Sequence, residues 1–225
     1  MVITLNNKFI GIIGRPDKNM TNKNVFIIGE ELKNIIIDFN YIPLGIIPNI
    51  KNINKKLNKK EIYELENILS ICNGFILQGG DKYYDYDRIV IKYAIRNNIP
   101  ILGICLGCQI MASLYEDNID IINTNIYNNH NVNKEYLHDI IIDKNSKLYK
   151  ILNKDRIKVN STHKEHIIDP GIYKVSSFSS DGIIESLEYP NNNFNIGVQF
   201  HPEKLIEDEN MKKIFKSFFE SIKSN

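Results

Sequence analysis

The first half of the chain alternates short, wholly apolar runs with longer stretches that are apolar on one side only. The runs are "KFIGIIG" (8–14), "YIPLGIIP" (41–48), "NGFILQGGD" (73–81) and "IPILGIC" (99–105). Each stops at glycine or proline punctuation or passes directly into the next segment, so each reads as a strand buried on both faces. Between them, 26–40 carries Leu32, Ile35, Ile36 and Phe39 at helical spacing, with Asn40 placed to close the helix. Segment 59–72 repeats the pattern with Ile62, Leu65, Ile68 and Leu69, and 85–98 and 106–116 read as two further helices. Apolar strands alternating with amphipathic helices permit few architectures. They imply βαβ units and a parallel sheet covered on both faces.

The second half changes character. "LHDIIID" (137–143), "RIKVNSTH" (156–163), "YKVSSFSS" (173–180), "GIIESLEY" (182–189) and "FNIGVQFHPE" (194–203) look like shorter strands, several of them antiparallel additions. A last helix over 209–222 gathers Met211, Ile214, Phe215, Phe218, Phe219 and Ile222 on one broad face. The Asn-rich stretch 118–136 reads as a mobile loop. No linker or internal repeat interrupts the pattern. The expectation is therefore an α/β fold over 1–225 as a single domain: a three-layer α/β/α arrangement with a mostly parallel central sheet and a smaller antiparallel addition.

Charge excludes several function classes. With 28 Lys and Arg against 27 Asp and Glu, a net charge of +1 provides no basic surface for nucleic acid or an anionic membrane. The Lys-rich segment 49–60 runs at once into Glu61, Glu64 and Glu66 without aromatics, so it reads as a solvated loop and helix start. No apolar run reaches the length of a membrane span, and the N-terminus lacks the basic head and cleavage site of a signal peptide. Three unevenly spaced cysteines argue against a disulfide framework. A cytoplasmic chain acting on a small molecule, with no nucleic-acid or membrane partner, is the expectation.

Two of those cysteines fall in "PILGICLGCQI" (100–110), where a strand gives way to a helix. Cys105 and Cys108 are spaced as a redox pair would be at a helix N-terminus. A metal site would need a second pair of ligands, and Cys72 stands alone in sequence. The glycines offer a third reading. Gly103-Ile104-Cys105-Leu106-Gly107 is a G-x-C-x-G frame, the cysteine form of a nucleophile elbow, whose small neighbours relieve crowding at a tight turn. A cysteine nucleophile needs a base, and the base an orienting group. His201 and Glu203, flanking Pro202 at the end of an apolar strand, can supply both. Cys108, on the first helical turn, then packs as a small apolar group.

Gly103 to Gly107 with Gln109, taken together with "QFHPE" (199–203), are similar to the class I glutamine amidotransferase fold, whose triad is Cys-His-Glu. "VNSTHKE" (159–165), "DGIIES" (181–186) and "GVQFHPE" (197–203) resemble its gamma-glutamyl-gamma-aminobutyrate hydrolase branch, and the resemblance runs along essentially the whole chain. It implies Cys105 as the nucleophile that forms a gamma-glutamyl thioester, His201 as the base and Glu203 as its orienting group. It implies an oxyanion hole from the backbone N–H groups of Leu106 and Gly80, and a glutamate-binding set of Gly79, Gln109, Ser161, Thr162 and His163. It implies no cofactor and no metal, and a possible homodimer. His130 and His138 fall outside its motifs and read as ordinary loop and strand residues.

The implied activity is hydrolysis of a gamma-glutamyl amide, giving glutamate and an amine. A glutaminase subunit supplying ammonia to a separate synthase is the alternative, and a ligand-binding regulator is disfavoured because every triad position holds a competent residue. Three departures from the branch leave the amine open. Leu106 stands where relatives often carry arginine, Glu165 stands where the motif commonly ends in glutamine, and "DKYYDYDRI" after "QGG" is short.

Overall fold

The computed structural model describes residues 7–121, 130, 136–191 and 194–223. The predicted buried runs become β1 (Phe9–Ile13), β4 (Ile42–Ile46), β5 (Cys72–Leu77) and β6 (Ile101–Ile104). Two short strands, β2 (Arg15–Lys18) and β3 (Asn24–Ile27), precede β4 as an antiparallel hairpin. β7 (Ile119–Ile121), β8 (Tyr136–Ile142), β9 (Arg156–Ser161), β10 (Glu165–Ile167), β11 (Lys174–Ser179), β12 (Ile184–Glu188) and β13 (Asn195–Val198) complete the strands. The helices are α1 (Glu30–Asp38), α2 (Lys59–Leu69), α3 (Asp85–Arg96), α4 (Leu106–Ala112), α5 (Lys147–Leu152) and α6 (Glu209–Lys223), with a 3₁₀ turn over Pro202–Leu205.

Nine strands form one sheet in the order β4-β1-β5-β6-β13-β12-β11-β8-β9. From β4 to β13 neighbours pair in parallel, and from β13 to β9 they pair antiparallel. Alternation along the strands sends side chains to two cores. Ile10, Ile12, Ile76, Leu102, Ile104 and Val198 join α1, α5 and α6 on one face. Ile13, Phe75, Leu77 and Ile101 join α2, α3 and α4 on the other. The expected three-layer α/β/α architecture with its antiparallel addition is the one observed. Phe215 and Phe218 of α6 are fully buried, each contributing about 1.5–3 kcal/mol of apolar burial.

Local chemistry sets the element ends. Asn58 accepts from the Lys60 and Glu61 N–H groups while Glu61 reaches back to the Asn58 N–H, a capping box that starts α2. Asn40, at φ 62, turns the chain out of α1 as expected. The helix itself starts at Glu30 and not near 26, because 24–27 pairs with 15–18 across the hairpin. Tertiary pairing there overrides helical periodicity. α4 stops at Ala112, short of the predicted 116, where the Asn118 side-chain amide donates to the Ala112 carbonyl at 3.1 Å. α5, β7 and β10 have no counterpart in the sequence reading, and most of the predicted 118–136 loop lies outside the described residues. No helix among the described residues is long and apolar enough to cross a membrane.

Candidate active site

Cys105 stands between β6 and α4 at φ 51, ψ −106, a backbone conformation that L-residues rarely adopt. Such strain costs about 1–3 kcal/mol and persists only where its surroundings enforce it. Here they do. The Cys105 N–H donates to the Val198 carbonyl at 2.8 Å, and its own carbonyl accepts from the Gln109 N–H at 3.1 Å. A Cβ on Gly107 would lie 2.2 Å from the Leu77 carbonyl oxygen, and one on Gly103 would lie 2.8 Å from the Gly107 carbonyl. The G-x-C-x-G frame is therefore a steric requirement of the turn.

β13 is the parallel neighbour of β6, with Gly197 opposite Gly103 and Val198 opposite Ile104. That register carries the chain beyond β13 past Cys105 and delivers His201 beside it. Asn160 fixes His201 at both main-chain groups, accepting from its N–H at 2.8 Å and donating to its carbonyl at 2.9 Å. The His201 ring meets Glu203 with Nδ1 2.6 Å from Oε1, and the two side chains are only 12% and 11% exposed. Burial opposes protonation of His201, but hydrogen bonds to the Cys105 sulfur and Glu203, with their charges, outweigh it and raise its pKa to about 10. The arrangement can take a proton from the thiol, hold it as imidazolium and return it.

Cys108 takes no part. It is fully buried, its sulfur would lie 2.9 Å from a Cβ on Gly197, and burial raises its thiol pKa well above the usual range. All three cysteines are free. The redox pair is thereby a nucleophile candidate and an inert neighbour.

A cavity of about 290 Å³ opens at Cys105, lined by Gly80, Asp81, Gln109, Thr162, His163, Lys164 and Glu165. Gln109 donates to the Glu165 carbonyl at 3.1 Å and to Gln199 Oε1 at 3.2 Å. Gly79 approaches the His201 ring so closely that a Cβ would lie 3.0 Å from Cε1, and a Cβ on Gly80 would lie 3.3 Å from Arg15 and Leu106. Leu106 directs its side chain into the core. Ser161 departs from expectation: it is fully buried, its hydroxyl donates to the His130 carbonyl at 3.2 Å, and it does not line the cavity. Its place at the end of β9 alternates it away from the side on which Thr162 opens to the cavity. Asp181 and Glu185 of "DGIIES" likewise face His130 and His138.

Three residues not singled out by the sequence reading support the site. The Gln199 side-chain amide donates toward Cys105 Sγ at 3.6 Å. Asn160 holds His201, as described. Arg15, 3% exposed, grips the Gln78 carbonyl through Nε and Nη2 at 3.2 and 2.9 Å and pairs with fully buried Asp87 at 2.5 Å, fixing the strand end before Gly79. Gln199 and Asn160 carried a signal, as parts of the "QFHPE" and "VNSTHKE" strings, and Arg15 carried none.

Comparison with known proteins gives the family. The Peptidase C26 family model matches residues 82–203, more than half of the chain. A CTP synthase from Borreliella afzelii is 31% identical over 186 residues, which cover 67% of this chain but 35% of that protein, so the chain spans about a third of that relative's length. A glutamine-hydrolyzing GMP synthase subunit from Methanococcus aeolicus is 29% identical over 179 residues, covering 79% of this chain and 83% of that one. Among solved structures, the Trypanosoma brucei CTP synthase glutaminase domain with bound acivicin superposes with a TM-score of 0.69 at 16% identity, over 97% of this chain and 95% of that one. The chain belongs to the Peptidase C26 family, within the class I glutamine amidotransferase-like superfamily.

Proposed function

We propose that the chain is a glutaminase: it hydrolyses the side-chain amide of glutamine through a thioester on Cys105 and releases ammonia for a synthase partner. The observation that carries this reading is the strained Cys105 beside a His201 whose protonation it favours and whose ring Glu203 orients at 2.6 Å. The relatives favour glutamine as substrate, since one bears glutamine hydrolysis in its name and is itself named as a subunit of its synthase. In the first step the Cys105 sulfur adds to the amide carbon while His201 holds the proton that the thiol gave up. His201 then protonates the leaving nitrogen as the tetrahedral intermediate collapses to the thioester. Water attacks next, with His201 as base, and glutamate leaves. The Leu106 and Gly80 N–H groups hold the oxyanion and Gln109 and Thr162 the glutamate head group, while His163, whose two ring nitrogens are engaged by the Glu165 carbonyl and by His130, forms part of the cavity wall.

The second reading is hydrolysis of a gamma-glutamyl amine, as in the gamma-glutamyl-gamma-aminobutyrate hydrolase branch. Asp81 and Glu165 in the cavity wall favour, within this reading, a leaving amine that carries positive charge over gamma-aminobutyrate, whose carboxylate they would repel. "DGIIES" adds no support for it, since its two acids are engaged with histidines. Glutamate release from glutamine and from a panel of gamma-glutamyl amines, with Cys105→Ala as blank, separates the readings. Ammonia from glutamine, with the amines left uncleaved, is the expected result. Cleavage of the amines alone would establish the second reading, and full turnover by Cys105→Ala would remove Cys105 as nucleophile. The possible homodimer is tested by light scattering on the purified chain.

A further inference from the structure

Behind the cavity wall lies a cluster of three histidines and a carboxylate that the chemistry above does not use. Glu185 on β12 is fully buried. His138 Nε2 lies 3.1 Å, His130 Nδ1 3.3 Å and His163 Nε2 3.8 Å from the same Glu185 oxygen, Oε1, and the His130 and His163 nitrogens lie 3.1 Å apart. All four residues are less than 9% exposed. Ligand atoms of His130, His138 and Glu185 fall within 4.8 Å of one another. Around a tetrahedral zinc with bonds of about 2.0–2.1 Å, ligand atoms are separated by roughly 3.3 Å. The observed separations bracket that value.

Two further observations point to an ion. Histidines that bind metals present one ring nitrogen to the metal while the other is held by a carboxylate or backbone carbonyl. His130 Nε2 is held by both Asp181 oxygens at 3.1 and 3.2 Å, and His163 Nδ1 by the Glu165 carbonyl at 2.8 Å. In each case the remaining nitrogen is the one aimed at the cluster. Hydrogen bonding alone also leaves the cluster incomplete. Among the described residues the second Glu185 oxygen, Oε2, is buried without a partner, and an unmet polar atom of this kind costs about 1–3 kcal/mol. A cation at the centre can engage Glu185 through both oxygens.

We propose that His130, His138, His163 and Glu185 form a structural site for a divalent transition-metal ion of the zinc type. Imidazole and carboxylate donors suit zinc, and the enclosed setting is that of a structural site. The ion would tie β8 and β12 to the segment after β9, whose Thr162 and His163 line the cavity. It takes no part in bond breaking.

The test uses the full chain carrying Cys105→Ser, which removes the thiol at the cavity as a competing ligand. After chelation and dialysis, Zn²⁺ binding is measured by calorimetry and by metal analysis, and Co²⁺ loading is followed by absorption. The expected outcome is one tight equivalent of Zn²⁺ per chain, a higher Tm with the ion, and Co²⁺ d–d bands without a thiolate charge-transfer band. His138→Ala and Glu185→Gln each weaken binding by more than about tenfold. The Cys105→Ser chain itself keeps the test decisive even if these variants misfold. Failure of this chain to bind Zn²⁺, a thiolate band with Co²⁺, or undiminished binding by two folded cluster variants would each overturn the site, leaving a hydrogen-bonded ion cluster.

Discussion

Replacing Glu203 by glutamine removes one charge and almost no volume. The side-chain oxygen that meets His201 Nδ1 at 2.6 Å can still accept that hydrogen bond, so the ring keeps its place. What is lost is a negative charge beside the imidazolium, in a pair only 12% and 11% exposed. An opposite charge at this range shifts a pKa by roughly 1–3 units, and each unit is about 1.4 kcal/mol. The variant therefore loses about 1.4–4 kcal/mol of imidazolium stabilisation, or roughly 10- to 1000-fold in kcat if the transition state feels all of it. The pH profile carries a second signature. His201 has its folded pKa raised to about 10 from 6.5, so its contribution to stability is complete below about pH 6.5 and is lost as pH rises through about 10. The alkaline limb of kcat/KM, which reports loss of that proton, moves down from near 10 in Glu203→Gln, and the alkaline fall in Tm moves with it. Stopped assays of glutamate release from pH 6 to 11, with parallel melts, read both. A Glu203→Gln enzyme with wild-type kcat and an unmoved alkaline limb would refute the orienting role.

Three other expectations concern the scaffold of the site. Gly107→Ala places a Cβ 2.2 Å from a backbone oxygen that has no rotamer to yield, so Tm falls and activity is lost together; a wild-type melt would contradict the steric account. Cys108→Ser puts a hydroxyl into a fully buried apolar site at a cost of about 1–3 kcal/mol in urea unfolding, yet keeps turnover, whereas a redox pair would lose turnover as completely as Cys105→Ser does. Asp87→Asn leaves the Arg15 charge buried and unpaired, which costs about 3–5 kcal/mol by denaturant midpoint and loosens the Gln78–Gly80 segment.

How much of this was legible depended on how local the signal was. Strands buried on both faces are continuous apolar runs, so β1, β4, β5 and β6 stood out from composition alone. The elbow was legible because Gly103 and Gly107 are forced by contacts within one turn and with the adjacent strand. The β2–β3 hairpin was not, because its apolar residues mimic a helix start until the partner strand is known. The histidine cluster was legible only in part for the same reason at longer range, since His163, Asp181 and Glu185 stand in quoted motifs but their meeting with His130 and His138 does not. His138 meets Glu185 across 47 residues and His130 meets Asp181 across 51, and neither separation leaves a motif. Ser161 was legible as part of a motif but not in its direction, which the alternation of β9 decides. The roles assigned to the triad rest on motif and geometry together.

The parallel pairing of β6 with β13 has one more consequence. Cys105 and Gln199 lie 94 residues apart in the chain, yet their neighbourhood is set by a single lateral step of the sheet, about 4.8 Å. The gap between sulfur and imidazole is thus inherited from main-chain spacing. Between α4, where Gln109 holds the Cys105 carbonyl, and β12, the chain is for that gap a detour pinned at Asn160, which holds the His201 main chain. Segments within the detour can lengthen, shorten or acquire new binding surfaces over evolutionary time while the reacting pair stays in alignment, so one catalytic spacing can serve many leaving groups and partners.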